Sequence, residues 1–207
     1  MTVIFRCNEY QQQEVLKKIK AAEVEFVFIK ENDSAFYSTK GDVYFDLLFE
    51  ENKIEVLRND VPVFVNSVLH TCNELPLNCI RINAWNGFLE REIIEIATNN
   101  NLHTVKEIMN KLGWKYLITP DEPGMITPRI IAMIVNEAYY ALEDEVSTPE
   151  EIDIAMKLGT NYPYGPFEWS KKIGIKNIYL LLQKLCMYDK RYLPCKLLKE
   201  AVLNNVK

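Results

Sequence analysis

The stretch from 127 to 174 limits the fold more than any other. Between Ile130 and Leu142 only Asn136 and Glu137 interrupt an apolar run. A helix that is apolar on most sides must be buried against several partners at once, so a helical domain is expected around it. The next signal is Thr148-Pro149-Glu150-Glu151. Thr148 suits an N-cap, Pro149 has its φ preset for the first helical position, and Glu151 can return a hydrogen bond to the cap. The spacing predicts a second helix over 149–158, closed by Gly159. Further on, 177–188 and 194–206 carry helical patterns either side of a turn at 191–194.

The first half reads differently. Segments 2–7, 24–29, 43–49, 61–65, 79–82 and 114–118 are short runs rich in β-branched and aromatic residues, the pattern of buried strands. Segments 11–22, 89–97 and 102–112 read as helices, the last closed by Gly113. Such alternation predicts an α/β domain with a mostly parallel sheet, followed by an all-α remainder. The block 118–128, rich in Pro, Gly and acidic residues, sets the expected boundary: residues 1–119 and 120–207.

The chain has 48% apolar and 26% charged residues and a net charge of −5, the balance of an ordinary globular protein. Neither nucleic acid nor an anionic membrane is expected as a partner, since both need basic patches. Cys7, Cys72, Cys79, Cys186 and Cys195 are odd in number and form no CxxC pair, which suits reduced thiols in a cytoplasmic protein. Cys72, Cys79 and His70 fit no zinc spacing, so no metal is expected. No apolar run approaches membrane-spanning length, and the first residues lack the pattern of a signal peptide.

One block carries a family resemblance. Glu151-Ile152-Asp153-Ile154-Ala155-Met156-Lys157, then Gly159 and Tyr162-Pro163-Tyr164-Gly165-Pro166-Phe167-Glu168, resembles the C-terminal domain of 3-hydroxyacyl-CoA dehydrogenases. The resemblance implies a Rossmann-like N-terminal domain, NAD as cofactor, acyl-CoA as substrate and a homodimer formed through the C-terminal helices. The 162–167 segment reads as a rigid turn rather than a ligand site, because two prolines and a glycine mainly fix backbone angles.

A dinucleotide-binding domain places glycines between its first strand and first helix, so that backbone amides can approach the pyrophosphate. Here that turn is Arg6-Cys7-Asn8-Glu9-Tyr10-Gln11, and the first glycine in the chain is Gly41. The α/β part is also short, a reduced Rossmann-like domain. No cofactor-binding residue is therefore assigned, and NAD belongs only to an alternative reading.

The family's catalytic positions, as the resemblance places them, are partly kept. The serine turn is similar to Val65-Asn66-Ser67-Val68-Leu69, which matches Ser67. Ser67 also reads as a helix N-cap, and if a helix began there Ser67 and His70 would share a face as the nucleophile pair of a hydrolytic reading, which no oxyanion-hole glycine turn accompanies. Asn83-Ala84-Trp85-Asn86-Gly87 and the following Glu95 resemble the segment of the catalytic histidine. Glu95 and the substrate-side Asn86 match, but the histidine position holds Asn83. The asparagine that follows the Asp-x-Pro-Gly run is replaced by Pro128. An amide takes up no proton near neutrality, and loss of a general base costs about 10²–10⁴-fold in rate. Glu95, with no imidazole to steady, then reads as a structural or surface carboxylate. His103, at the start of a helix, reads as solvent-facing.

The expectation is a relative of 3-hydroxyacyl-CoA dehydrogenases that has lost NAD binding and the base while keeping dimerisation and acyl-CoA binding. The alternative is an active NAD-dependent enzyme of shortened form.

Overall fold

The computed structural model describes residues 1–20, 23–30, 35–51 and 58–204. They form two compact units, Met1–Met125 and Ile126–Lys207.

The first unit is built on seven strands: β1 (Thr2–Arg6), β2 (Glu25–Ile29), β3 (Val43–Asp46), β4 (Val63–Asn66), β5 (Cys79–Ile82), β6 (Ile93–Ala97) and β7 (Lys115–Ile118). Their spatial order is β2-β1-β3-β4-β5-β6-β7, parallel throughout except for the β5–β6 pair. This is the dinucleotide-fold order 3-2-1-4-5-6 shortened at one side. Among the described residues, no strand lies outside β2. Among the described residues this unit also has two α-helices, α1 (Glu9–Lys18) and α2 (Leu102–Leu112).

Register explains the aromatic content of the strands. Phe28, Phe5, Phe45 and Phe64 are Cα partners on four successive strands, and their rings lie 5.4, 4.7 and 4.5 Å apart in turn. They share a core with Val15 of α1 and Val105 and Met109 of α2. Residues of opposite parity, Ile4, Tyr44, Val63 and Val65, face the other way and pack with Phe36, Tyr37 and Phe49. A strand buried on both faces needs a continuous apolar run, which β3 and β4 show up to their last residues, Asp46 and Asn66.

Segment 89–97 is not a helix: its last five residues are β6, whose partner β5 lies across an antiparallel ladder, and three isoleucines suit that half-extended surface. The run 43–49 is strand only as far as Asp46. The helix expected over 11–22 starts earlier, at Glu9, and ends at Lys18; positions 21 and 22 lie outside the described residues.

The second unit contains α3 (Thr127–Glu143), α4 (Pro149–Thr160), α5 (Pro166–Ile173), α6 (Ile175–Cys186) and α7 (Lys196–Asn204). In α3 the apolar pattern is less than all-round in effect: Ile131, Ala132, Val135, Ala138 and Tyr139 are buried, whereas Ile130 is 50% exposed. Helix α4 runs through Gly159, and the left-handed residue at its end is Asn161, with φ 55°. Helix α5 begins inside the segment read as a turn. The helix expected over 194–206 is α7, and 205–206 lie outside the described residues. No helix among the described residues is long and apolar enough to cross a membrane.

Candidate functional site

In an open α/β sheet the binding crevice lies outside the carboxyl ends of the strands, where the winding reverses. Here the chain leaves β1 for β2 on one side and returns to β3 on the other, so the reversal falls between β1 and β3. The last residues of those strands are Arg6 and Asp46, and both are at most 1% exposed. Arg6 donates from Nε and Nη2 to the two Asp46 carboxylate oxygens, each at 2.9 Å, and the closest approach is 2.7 Å. Tyr37 donates its hydroxyl to Asp46 Oδ2 at 3.1 Å, and the Leu48 N–H donates to Oδ1 at 3.2 Å. Burial pushes the Asp46 carboxyl up, and the Arg6 guanidinium works against that rise. Burial and the neighbouring Asp46 also carry the Tyr37 phenol well above its ordinary range.

The turn between β1 and α1 is equally occupied. Asn8 is the N-cap: its side chain accepts the Gln11 N–H at 2.9 Å, while Gln11 Oε1 accepts the Asn8 N–H at 3.1 Å. Two amide donors at the helix start are thereby satisfied within the chain. The other end of the Gln11 carboxamide donates to Leu47 O and Ala84 O, both at 2.9 Å, joining the loops after β3 and β5. One turn on, Glu14 accepts the Gly87 N–H at 2.5 Å and the Leu89 N–H at 3.1 Å. Gly87 has φ 94°, a conformation glycine adopts without strain.

The family positions of the first unit are brought together. Ser67 and Asn83 follow adjacent parallel strands, and the Ser67 N–H donates to Ile82 O at 3.3 Å. The Asn83 N–H donates to Glu95 O at 3.1 Å, so the histidine and carboxylate positions are neighbours across the β5–β6 ladder. Both are buried, which makes Glu95 an interior residue rather than a surface one. Asn83 Oδ1 accepts the Trp85 N–H at 3.4 Å, and Asn86 Oδ1 accepts from Asn8 Nδ2 at 3.4 Å. Pro128 is buried in the first turn of α3, in the helical unit.

Ser67 is not an N-cap, because no helix starts there. Its hydroxyl donates to Glu50 Oε1 at 3.4 Å, and that same oxygen accepts the Leu69 N–H at 2.6 Å and stands 3.3 Å from His70 Nδ1. The carboxylate therefore sits between serine and imidazole. A hydrolytic pair needs the imidazole next to the hydroxyl, so this order does not make a nucleophile. His103 is 86% exposed in α2, as its setting suggested.

Several residues of the site were not singled out in the sequence. Arg81, fully buried in β5, donates to Ser67 O at 3.0 Å, Glu122 O at 3.2 Å and Asp121 Oδ1 at 2.5 Å. Burial alone would raise the Asp121 carboxyl; hydrogen bonds from Cys72 and Arg81 carry it below its ordinary value instead. Glu50, Arg81 and Asp121 together fix the loop that holds Ser67. Asn8-x-x-Gln11 is a capping-box spacing that could have been read; the partners of Glu50 and Arg81 lie too far along the chain for any local signal. Among the described residues no group of three or more His, Cys, Asp and Glu side chains could hold a metal ion.

In the helical unit the motif block is a lock between α4 and α5. Asp153 accepts the Phe167 N–H at 2.8 Å and the Glu168 N–H at 3.1 Å, capping α5 from a neighbouring helix. Glu168 accepts the Gly165 N–H at 2.9 Å and pairs with Lys157. A Cβ on Gly165 would lie 2.2 Å from Asp153 Oδ1 and 2.5 Å from its Cα, so only glycine leaves room for that carboxylate. The residues that looked like a turn rather than a ligand site do hold structure together.

Comparison with known proteins agrees with this division. Residues 124–207 match the family model for the C-terminal domain of 3-hydroxyacyl-CoA dehydrogenase. The chain is 41% identical over 115 residues to 3-hydroxyadipyl-CoA dehydrogenase of Escherichia coli, a match covering 54% of the chain and 24% of that protein. It is 35% identical over 141 residues to 3-hydroxybutyryl-CoA dehydrogenase of Bradyrhizobium diazoefficiens, covering 65% of the chain and 48% of the relative. Thus the match spans half or less of either relative. The crystal structure of (S)-3-hydroxybutyryl-CoA dehydrogenase from Ralstonia eutropha superposes with a TM-score of 0.76 at 17% identity, over 99% of this chain and 94% of that one. At that identity the likeness speaks for the fold alone.

Proposed function

This chain belongs to the 3-hydroxyacyl-CoA dehydrogenase family, and from that premise we propose that it is a member without hydride-transfer activity, one that has given up NAD and the catalytic base. The observation that carries the proposal is Gln11. Where a pyrophosphate would need open backbone amides at the start of α1, Asn8 and Gln11 occupy one another's N–H groups, and Gln11 ties the flanking loops together. The Arg6–Asp46 pair fills the reversal point behind them. These residues do not fit a dinucleotide held by that turn. At the histidine position Asn83 can orient a hydrogen bond but cannot take the proton released on oxidation.

What the chain keeps, in this reading, is assembly and an acyl-CoA site in a cytoplasmic protein. Ile130 on α3 is 50% exposed, and Ile154 and Leu158, one turn apart on α4, are 53% and 83% exposed. Apolar side chains so placed suit a homodimer formed through these helices. Sedimentation velocity over a concentration series should show a dimer that Leu158→Asp converts to monomer.

The catalytic part is tested by turnover of acetoacetyl-CoA with NADH. Neither the native chain nor Asn83→His should turn over. Turnover by the native chain would restore the alternative, an active dehydrogenase of shortened form. Turnover by Asn83→His alone would mean that the base is the one missing part.

A further inference from the structure

The helical unit holds a cleft of about 610 Å³ that none of the family positions touches. Its volume falls in the range of small-molecule sites, roughly 300–1,000 Å³. Tyr140 of α3 and Tyr179 of α6 form walls, and Cys186, Met187, Leu193 and Pro194 add apolar surface. Both tyrosine hydroxyls are engaged: Tyr140 donates to Leu193 O at 3.4 Å, and Tyr179 accepts from Gln183 at 3.0 Å. The rings are thereby oriented and offer the cleft their carbon surface. Asn136 fixes the other side, donating to Leu193 O at 2.9 Å and accepting the Cys195 N–H at 2.8 Å.

The charge around this apolar cleft is predominantly of one sign. Of the four charged side chains that line it, three are Lys190, Lys196 and Lys199. The fourth, Glu143, accepts from the Cys195 thiol at 2.9 Å. Lys196 stands 3.8 Å from Glu200, an exposed pair of the kind that contributes little. The sequence strengthens the bias: from Lys171 to Lys207 there are nine Lys and Arg against two acidic residues, in a chain with 24 against 29 overall. A positive end on an acidic protein attracts anions locally.

We propose that this cleft binds an amphiphilic anion, a fatty-acid carboxylate whose chain lies along Tyr140, Tyr179, Met187 and Leu193 and whose head is met by Lys190, Lys196 and Lys199. Oriented rings and a pliable methionine suit an alkyl chain, and the lysines supply the only cationic rim the cleft needs. The residues that line the site all belong to the helical unit, so its fate does not depend on the fate of the NAD reading.

The test is calorimetric titration of the full-length chain with straight-chain carboxylates from acetate to decanoate, each below its micellar concentration. Decanoate should bind saturably at one site, and affinity should climb by up to about fourfold per methylene until the cleft is filled. Decanol should bind at least about tenfold more weakly, and so should decanoate to Lys196→Glu/Lys199→Glu, whose changes are on exposed side chains. Added salt should weaken decanoate but not decanol. An affinity independent of chain length would reduce the cleft to a basic patch and overturn the proposal. So would equal binding to the double variant, or binding only to phosphatidylserine vesicles, which would make the surface a membrane contact.

Discussion

The α/β unit and the helical unit have kept different things. In the helical unit the family's motif residues still perform the structural task that requires them: Asp153 caps α5, Gly165 leaves space for its carboxylate, and Glu168 closes the turn. In the α/β unit the strand order of a dinucleotide fold survives, but at the turn after β1 Asn8 and Gln11 bond one another's N–H groups, and Arg6 pairs with Asp46 at the strand ends. The contrast teaches that motif density follows packing, not chemistry. A lock such as Asp153–Gly165 cannot drift without a cost in stability, whereas a turn whose contacts are few can.

That comparison can be broken at specific residues; Trp85 and Trp114 lie buried in the sheet unit and Trp169 in the helical unit, so removing Trp169 leaves a reporter of the sheet unit alone. The largest effect is expected for Arg6→Ala. It leaves Asp46 buried and unpaired, which should cost about 3–5 kcal/mol in urea unfolding. A loss below 1 kcal/mol would mean that Asp46 reaches water. Next is Gly165→Ala, whose Cβ meets the Asp153 backbone; overpacking of this kind costs about 1–3 kcal/mol and should appear in the helical unit. Gln11→Ala leaves the buried Leu47 and Ala84 carbonyls without that donor, a loss of about 1–2 kcal/mol in the sheet unit.

Smaller effects sharpen the contrast further. Thr148→Ala removes the α4 cap and should cost about 1 kcal/mol. Asp121 supplies a pH signature. Its carboxyl titrates below the ordinary value in the folded chain, so its contribution is complete above about pH 4 and is lost as pH falls through the depressed folded value. Asp121→Asn should flatten that part of the stability-versus-pH curve; an unchanged acid limb would show that the Arg81 and Cys72 contacts do not hold in solution.

What could be read in the sequence follows from how local each cause is. The caps at Asn8 and Thr148, the proline at 149 and the alternation of apolar runs act within a turn or a strand, so the fold class and most elements could be foreseen. Segment 89–97 misled because Leu89, Ile93, Ile94 and Ala97 also satisfy a helical spacing; the antiparallel partner β5 decides the matter, and nothing local announces it. Helix α5 was hidden by its brevity, although Gly165-Pro166 with Glu168 after it is a start signal. Ser67, Asn83, Asn86 and Glu95 could be placed only through the resemblance. Asp121 was legible only as the first residue of the Asp-x-Pro-Gly run, and Glu50 and Arg81 could not be placed at all, because the contacts span 14 to 40 residues.

The most direct test of the central claim is a fluorescence titration of NADH into the native chain, followed by energy transfer from tryptophan to the nicotinamide. With Gln11 and the Arg6–Asp46 pair filling the reversal point, no saturable signal is expected up to millimolar NADH. Saturation in the micromolar range, abolished by a bulky substitution at Asn8, would contradict the account and return the chain to the working dehydrogenases.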